Sequence, residues 1–159
     1  MEAEAGIHIR LAGAGDDDFI LDLAERFVDF ELPAWRRRGE TASGIRRDLR
    51  KHLIEPSAGS HMFVAEDNKG ERVGFVHLQT VIDMLTGATN CHISDLACAR
   101  GQDGRGIGST LLAFAEGWAR ERHCRFITLN VFPGNARARR LYERRGFGEE
   151  LVRLAKPVR

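Results

Sequence analysis

The chain has 159 residues, a formal net charge of +1, 43% hydrophobic residues and 30% charged residues, a composition typical of one globular domain. No apolar run reaches the roughly 18 residues of a membrane span, and the acidic start Met1–Glu4 is unlike a signal peptide. The cysteines are odd in number and lack CxxC spacing, so we expect a cytoplasmic protein with neither a disulfide framework nor a metal site.

The small net charge conceals an asymmetry between the two parts of the chain. Residues 100–159 hold 13 Lys and Arg against 6 Asp and Glu, whereas residues 1–99 hold 11 against 17. The basic part suits a polyanionic ligand, although solvated surface charge is the simpler explanation for any single residue. Arg36–Arg38 is too short a run to indicate nucleic acid.

A short first strand is predicted at Ile7–Leu11, followed by a helix. Asp16–Asp18 supplies the N-cap and first-turn acids, and Pro33 ends the helix. Apolar residues follow helical spacing between them: Phe19, Ile20, Leu23, Phe27 and Phe30. A second helix is predicted from Thr41 or Ser43 to the residue before Pro56.

A β-hairpin is predicted next, in which Asn68–Glu71 connects strands at His61–Glu66 and Arg72–Asp83. Met84–Asn90 forms a second connection with Gly87 as its turn residue. A further strand is then expected at Cys91–Ala99.

The segment Ile93–Leu112 reads as a strand, a glycine loop and the first turn of a helix. Glycines at 104, 106 and 108 let a ligand approach the backbone, and a helix N-terminus attracts anions. The pattern fits neither a P-loop, since Ile107 follows Gly106, nor a dinucleotide fingerprint, since Ser109 replaces its last glycine. We therefore expect a phosphate or pyrophosphate ligand at a glycine loop that belongs to neither of these two motifs.

The helix after the loop is predicted over Gly106–Arg122, and the strand Phe126–Phe132 leaves it. Strand, helix and strand over this length form a βαβ unit with a parallel strand pair. Asn135 is placed to cap a last helix ending at Arg145, with Gly146 at its C-terminal end. A final strand is expected at Phe147–Leu154.

This order of elements predicts an α/β (α+β) fold with a mixed central β-sheet and helices on both faces. We find no internal repeat, low-complexity segment or linker, so residues 1–159 are interpreted as a single domain.

Two blocks resemble the GNAT superfamily of acyl-CoA-dependent N-acetyltransferases. The first is the strand Ile93–Cys98 with Gly104–Gly108 and Leu111–Leu112, similar to the family's CoA-pyrophosphate motif. The second is Leu129–Val131 followed by Asn135, Ala138, Leu141–Tyr142 and Gly146–Phe147, similar to its last conserved segment. Residues 91–148 carry the resemblance, and the N-terminal part matches in element order only.

The resemblance implies acetyl-CoA as cosubstrate, without a metal, and a set of residues around it. We expect the cosubstrate to contact Leu96, Ala97, Cys98, Asp103, Gly104, Arg105, Gly106, Ile107, Gly108, Ser109, Asn135 and Tyr142. The family's pattern usually places Arg or Gln at the position of Asp103, so this carboxylate weakens one contact. Backbone N–H groups remain, and Arg105 is expected to supply the cation.

Transfer of an acetyl group to an amine needs an oxyanion donor, a general acid and a general base. By resemblance, the backbone N–H of Leu96 faces the thioester carbonyl, and Tyr142 is the general acid. A tyrosine packed in the core is the alternative for Tyr142. Asn135 is expected to bond the pantetheine, to cap its helix, or both.

Asp95 is the first candidate for the general base, with a purely structural acid as an equal alternative. His92, Asp83 and His77 are the other candidates. By resemblance, the first two helices and their connection wall the acceptor side, which places Phe30, Glu31 and Trp35 there. Packing under a loop is the simpler use of Trp35.

The leading hypothesis is an acetyl-CoA-dependent N-acetyltransferase that acts on a primary amine of a small molecule or a protein. The alternatives are a GNAT-fold sensor that binds acyl-CoA without turnover, and a phosphate-binding domain unrelated to CoA. The predicted partners are acetyl-CoA and an amine acceptor, with no nucleic acid or membrane; a homodimer is left open.

Overall fold

Five strands form one mixed sheet whose spatial order follows the chain in this computed structural model, which describes residues 6–159. The acidic start Met1–Glu4 lies outside the described residues. The strands are β1 (His8–Leu11), β2 (Ser60–Glu66), β3 (Arg72–Ile82), β4 (Thr89–Cys98) and β5 (Ile127–Leu129). Neighbours pair antiparallel from β1 to β4, and β4 pairs parallel with β5. The predicted hairpin and the parallel pair of the βαβ unit are both confirmed.

Helices cover both faces of this sheet, as predicted. They are α1 (Asp17–Asp22), α2 (Arg38–Ile54), α3 (Ile107–Glu121) and α4 (Ala136–Arg144). On one face, Leu111 and Trp118 of α3 are buried against β3 and β4, and on the other Ile20 of α1 and Leu49 of α2 pack against Phe75. Each core therefore joins one helical layer to the shared sheet.

The first helix is shorter than the sequence predicts. α1 ends at Asp22, and Leu23–Val28 continues as 3-10 helix. Arg38 explains part of the difference, because its guanidinium donates to the carbonyl oxygens of Val28 at 2.8 Å and Phe30 at 2.9 Å. These carbonyls are satisfied without a continued α-helix. The prediction of one helix up to Pro33 is therefore wrong in its second half.

The final predicted strand, Phe147–Leu154, is also wrong. Residues 147–159 pair with no strand, and Leu151, Val152 and Leu154 are 74%, 71% and 89% exposed. The neighbouring edge strand β5 is three residues long, so it offers few backbone groups for a sixth strand to pair with. The β-forming residues of 147–154 are visible in the sequence, but the length of the strand that would have to pair with them is not.

Among residues 6–159, no helix is long and apolar enough to cross a membrane.

Candidate functional site

A cleft opens where β4 and β5 part. Their pairing ends at Ile93 and Leu129, but β4 continues to Cys98. The edge of residues 94–98 that faces away from β3 therefore has no strand partner, and the cleft beside it has a volume of about 910 Å³. The segment from Leu96 to Cys98, predicted from the sequence as part of the site, lines this cleft.

The glycine loop forms one end of the cleft. Gly106 is the N-cap residue of α3 and has a left-handed backbone with φ of 72°, and Gly104 has φ of 80°. Residues with a Cβ rarely adopt this conformation, which explains two of the loop glycines. The loop residues that line the cleft are Gln102, Asp103, Gly104, Gly106, Ile107, Gly108 and Ser109. The N–H groups of the first turn of α3, which have no backbone partner within the helix, therefore border the cleft, as an anion site requires.

Gly108 has a different explanation from its neighbours. A Cβ at this position would lie 2.9 Å from Cδ2 of Leu141 in α4. Gly108 thus permits close packing between α3 and α4, in addition to lining the cleft.

Asp103 is held by two arginines from distant parts of the chain. Its carboxylate lies 2.9 Å from Nη2 of Arg26 and 3.3 Å from Nη1 of Arg137. Arg26 also donates to the carbonyl oxygen of Cys98 at 3.2 Å. The acidic departure from the family pattern is therefore neutralised locally, and both arginines line the cleft.

The cations that line the cleft do not include Arg105, which was expected from the sequence. Arg105 is absent from the lining residues, and its guanidinium instead donates to Gln102. Arg140 and Arg144 of α4 line the cleft beside Arg137. Their spacing along one helix is a signal that could have found them, whereas nothing local in the sequence points to Arg26.

Tyr142 lies on α4 and lines the cleft together with Cys98. Burial raises the pKa of Tyr142, and the nearby Cys98 thiol acts in the same direction. The ring also makes an edge-to-face contact with Phe147, with centroids 5.8 Å apart. The phenol is thus both packed and exposed to the cleft, and it stays protonated at neutral pH.

Asn135 caps α4 as predicted. Its side-chain oxygen accepts a hydrogen bond from the backbone N–H of Ala138 at 3.2 Å, and Gly146 beyond the helix has φ of 90°. Asn135 also lines the cleft. The neighbouring Gly134 approaches the chain so closely that a Cβ there would lie 2.0 Å from the carbonyl oxygen of Glu31. This contact joins the turn before α4 to the segment after α1.

Asp95 lines the cleft and is paired with a buried histidine. Its Oδ2 lies 2.9 Å from Nδ1 of His77, whose side chain is completely buried. Two of the four candidate bases from the sequence therefore form one hydrogen-bonded unit.

The other two candidate bases have different surroundings. Nδ1 of His92 lies 2.8 Å from Oγ1 of Thr128, and burial lowers the pKa of His92. Asp83 belongs to the turn between β3 and β4, where it accepts from the backbone N–H of Leu85, a contact that lowers its pKa. Neither His92 nor Asp83 is among the residues that line the cleft.

The predicted acceptor residues are only partly brought together. Phe30 lines the cleft and contacts Phe132 with ring centroids 5.9 Å apart. Trp35 is 51% exposed, and neither it nor Glu31 is among the lining residues. Phe27, at the start of the predicted acceptor wall, also lines the cleft, and the residues that sequence reasoning missed at this end are Ser94, Asn130 and Phe132. Their positions follow from the parting of β4 and β5, which the sequence does not reveal.

Within residues 6–159, no group of three or more His, Cys, Asp or Glu side chains is arranged to hold a metal ion.

Comparison with known proteins identifies the family to which this sequence is similar. A family model described as acetyltransferase (GNAT) family matches residues 22–147. The uncharacterised N-acetyltransferase YhfO of Bacillus subtilis (strain 168) is 27% identical over 144 residues, which cover 91% of each chain.

Solved structures share the fold over nearly the full length. A protein of Pyrococcus furiosus classed as an acetyl transferase superposes with a TM-score of 0.76 at 27% identity, covering 96% of this chain and 99% of the other. An aminoglycoside N-acetyltransferase, AAC(6′)-Iy, solved in complex with CoA, gives a TM-score of 0.70 at 18% identity, with coverage of 96% and 95%. At 18% identity, the similarity to AAC(6′)-Iy concerns the fold alone.

Proposed function

The chain belongs to the acetyltransferase (GNAT) family, and from that membership we propose that it transfers an acetyl group from acetyl-CoA to a primary amine by direct attack. One observation carries the proposal: a single cleft combines an unpaired strand edge, a helix N-terminus with a glycine loop, a carboxylate and a phenol. These are the groups needed to bind a thioester of CoA and to move the protons of acyl transfer.

The phosphates of acetyl-CoA fit the basic end of the cleft. The N–H groups at the start of α3 and the guanidinium groups of Arg137, Arg140 and Arg144 would hold them. Arg26 is engaged with Asp103 and the carbonyl of Cys98, so its role is to hold the loop against β4. Arg105 remains a proposed contact outside the cleft lining.

The pantetheine arm fits the free edge of β4. Backbone groups of residues 94–98 face the cleft without a strand partner, so an extended amide chain can pair with them as an added strand. In this arrangement the N–H of Leu96 donates to the carbonyl oxygen as negative charge develops on it. Such a donor lowers the activation barrier by roughly 2.7–4 kcal/mol in comparable sites. The bound thioester supplies the electrophilic carbonyl carbon, and Ala97, Cys98 and Asn135 shape the surrounding wall.

Asp95 and Tyr142 move the protons. A primary amine enters as an ammonium ion and becomes an amide, so it loses two protons per turnover. Asp95 takes one of them and returns it to solvent, which makes the amine nucleophilic. Tyr142 donates a proton to the departing thiolate and recovers the second proton of the amine. Its raised pKa keeps it in the donating form.

The acceptor occupies the end of the cleft beyond Asp95. Phe30 and Phe132 line this end, and Glu31 and Trp35 belong to the segment above it. Aromatic walls and nearby acids suit an amine that carries an apolar group and a positive charge. The acceptor is either a small molecule or an exposed amine of a protein.

The test is a panel of amines assayed for thiol release from acetyl-CoA, with titration calorimetry of CoA and ATP as the binding arm. We expect CoA to bind and ATP to bind much more weakly, and at least one amine to accelerate thiol release. Binding of CoA without turnover on any amine would indicate a sensor, and equal binding of ATP would indicate a nucleotide site instead.

A further inference from the structure

A line of hydrogen bonds leads from the cleft into the core through Asp95, His77 and Ser60. We propose that His77 is a positioning residue for Asp95, and that Ser60 fixes the ring proton of His77 on the nitrogen that faces the carboxylate. This inference rests on the proposed function, in which Asp95 accepts a proton from the amine.

The pair is built into the sheet. His77 of β3 and Asp95 of β4 are directly opposite each other in the antiparallel register. The register shifts between His77 and Leu78, because Leu78 pairs with Ile93 and leaves Ser94 as the extra residue of β4. A β-bulge of this kind re-aims the side chains beside it. It sets Asp95 with its carboxylate at the cleft, 11% exposed, and still bonded to a histidine that is wholly buried.

Two groups on the far side of the ring determine which nitrogen carries the proton. Oγ of Ser60 lies 2.6 Å from Nε2 of His77, and Nε2 of Gln79 lies 3.3 Å from the same atom. The amide nitrogen of Gln79 can only donate, so Nε2 of His77 acts as the acceptor. Nε2 has one lone pair, and the Ser60 hydroxyl is the nearer donor to it, so the single proton of the neutral ring lies on Nδ1. Nδ1–H therefore donates to Oδ2 of Asp95.

This arrangement leaves the second oxygen of Asp95 for the cleft. One oxygen is held by Nδ1–H of His77, so rotation of the carboxylate is restricted and Oδ1 keeps a fixed direction. A base acts well when its accepting atom is already placed beside the proton that it removes.

Other titratable groups surround His77 on the α2 side. The ring of His52 in α2 lies 4.7 Å away between centroids, and Nδ1 of His52 is 3.5 Å from Oγ of Ser60. Asp48 of α2 lies 3.9 Å from His52, and His92 of β4 is close enough for its charge to interact with both His77 and Asp95. Nε2 of Gln79 also lies 3.4 Å from Nε2 of His52, so that ring nitrogen accepts and Nδ1–H of His52 is directed at Oγ of Ser60. This contact preserves the direction of the Ser60 hydroxyl towards His77.

The same three residue types form the catalytic triad of hydrolases, but the order here excludes that use. In a triad the serine meets the substrate and the carboxylate is behind the histidine. In this chain the carboxylate lines the cleft, whereas Ser60 lies beside His52 and is not among the lining residues. Asp95 is therefore the residue that meets the substrate, and Ser60 holds His77 at the buried end of the hydrogen-bonded line.

The test compares His77→Leu, His77→Asn and Ser60→Ala in the amine assay. His77→Leu removes the donor to Asp95, and we expect kcat to fall at least tenfold with KM for acetyl-CoA within about twofold. His77→Asn places an amide nitrogen near the position of Nδ1, so it should restore most of kcat. Ser60→Ala should lower kcat by a smaller amount, again with KM for acetyl-CoA within about twofold.

The matched control is His61→Leu, the same change in β2 on the other face of the sheet, where His61 contacts Trp118. It should lower the melting temperature and leave kcat within about twofold. Equal loss of kcat in His77→Leu and His77→Asn would overturn the inference. Asp95→Asn in the same assay separates the two proposals: full activity there contradicts the assignment of the base, whereas loss there with a normal His77→Leu contradicts only the role of His77.

A second measurement needs no variant. Long-range ¹H–¹⁵N correlation spectra of the labelled protein report which ring nitrogen of His77 is protonated. We expect the Nδ1–H form, and the Nε2–H form would overturn the proposal.

Discussion

Arg26 and Asp103 are 77 residues apart in the chain, and their side chains meet at 2.9 Å beside the glycine loop. Arg26 lies in the 3-10 segment after α1, and Asp103 lies where the family usually has a basic or amide side chain. The ion pair links the 3-10 segment, on the proposed acceptor side of the cleft, to the glycine loop, on the proposed phosphate side. It also accounts for a carboxylate in a site that we propose for a polyanion.

We first predict that Asp103→Asn tightens the binding of acetyl-CoA. Removal of one negative charge near the phosphates should gain about 1 kcal/mol, which is about a fivefold decrease in Kd, and the gain should shrink at high salt. Asp29→Asn is the control, since Asp29 lies 3.1 Å from the same Arg26 but outside the glycine loop. Titration calorimetry at two salt concentrations measures the Kd of both variants for acetyl-CoA. Weaker binding by Asp103→Asn would mean that the carboxylate is needed to hold Arg26 and Arg137 in place.

The second prediction concerns Gly108. Gly108→Ala places a methyl group 2.9 Å from the end of Leu141, so the wall of the cleft must shift. We expect Kd for acetyl-CoA to rise about tenfold, equivalent to about 1.4 kcal/mol, with little change in melting temperature. Gly117→Ala in the same helix is the control, because a Cβ there meets no atom within 4 Å. It should leave Kd unchanged and stabilise the helix by roughly 0.5–1 kcal/mol. Equal Kd values for Gly108→Ala and the unmodified protein would place the phosphates elsewhere.

The third prediction concerns Tyr142. Tyr142→Phe keeps the contact with Phe147 and removes the hydroxyl, so kcat should fall by about 10²- to 10⁴-fold while acetyl-CoA affinity changes little. Because burial raises the pKa of Tyr142, the unmodified enzyme should show no loss of kcat from phenol ionisation below pH 10. Phe147→Leu is the control for packing and should lower the melting temperature with a much smaller effect on kcat. Tyr142→Phe with more than half of its kcat would assign the acid to another group.

The fourth prediction concerns stability. Asp16 lies 2.7 Å from Arg10 of β1 and 2.9 Å from Arg72 of β3, and its side chain is 3% exposed. The hydrogen bond from Arg10 lowers the pKa of Asp16 from 3.8 to about 2. Because the folded value is the lower one, the stabilisation is present above pH 3.8 and is lost as the pH falls towards 2.

Asp16→Asn should therefore lower the free energy of unfolding at pH 7 by about 1.5–3 kcal/mol, and less at acidic pH. Urea denaturation at a series of pH values measures the difference. Asp18→Asn, a change of the same charge at an exposed neighbouring position, should have little effect at either pH. A constant difference between Asp16→Asn and the unmodified protein from pH 7 to pH 2 would contradict the linkage.

Local signals predicted much of the fold. The caps of α4 are visible in the sequence because Asn135 and Gly146 act on their own backbone neighbours. The hairpin and the helix after the glycine loop also depend on contacts close in the chain. The final strand failed for the opposite reason, since a strand needs a partner, and β5 is too short to provide one.

The lining of the cleft was predicted where the residues belong to one motif and missed where distant residues meet. Gly104, Gly106 and Tyr142 were named from motifs that resemble those of the family, whereas Arg26 was not named. Simple alternation along β4 places His92 and Asp95 on opposite faces of the sheet, but the bulge at Ser94 breaks that alternation. Asp95 and His77 were proposed as separate candidates, and only the register of β3 and β4 joins them.

Acetyl transfer itself is tested most directly by mass spectrometry of an amine panel incubated with the protein and acetyl-CoA. We predict that one class of primary amine gains the mass of a single acetyl group, in step with release of an equal amount of free thiol, and that Asp95→Asn and Tyr142→Phe slow both. Acetyl-CoA that binds in the cleft but is left intact, or is only hydrolysed, with every amine tested would contradict the proposed function.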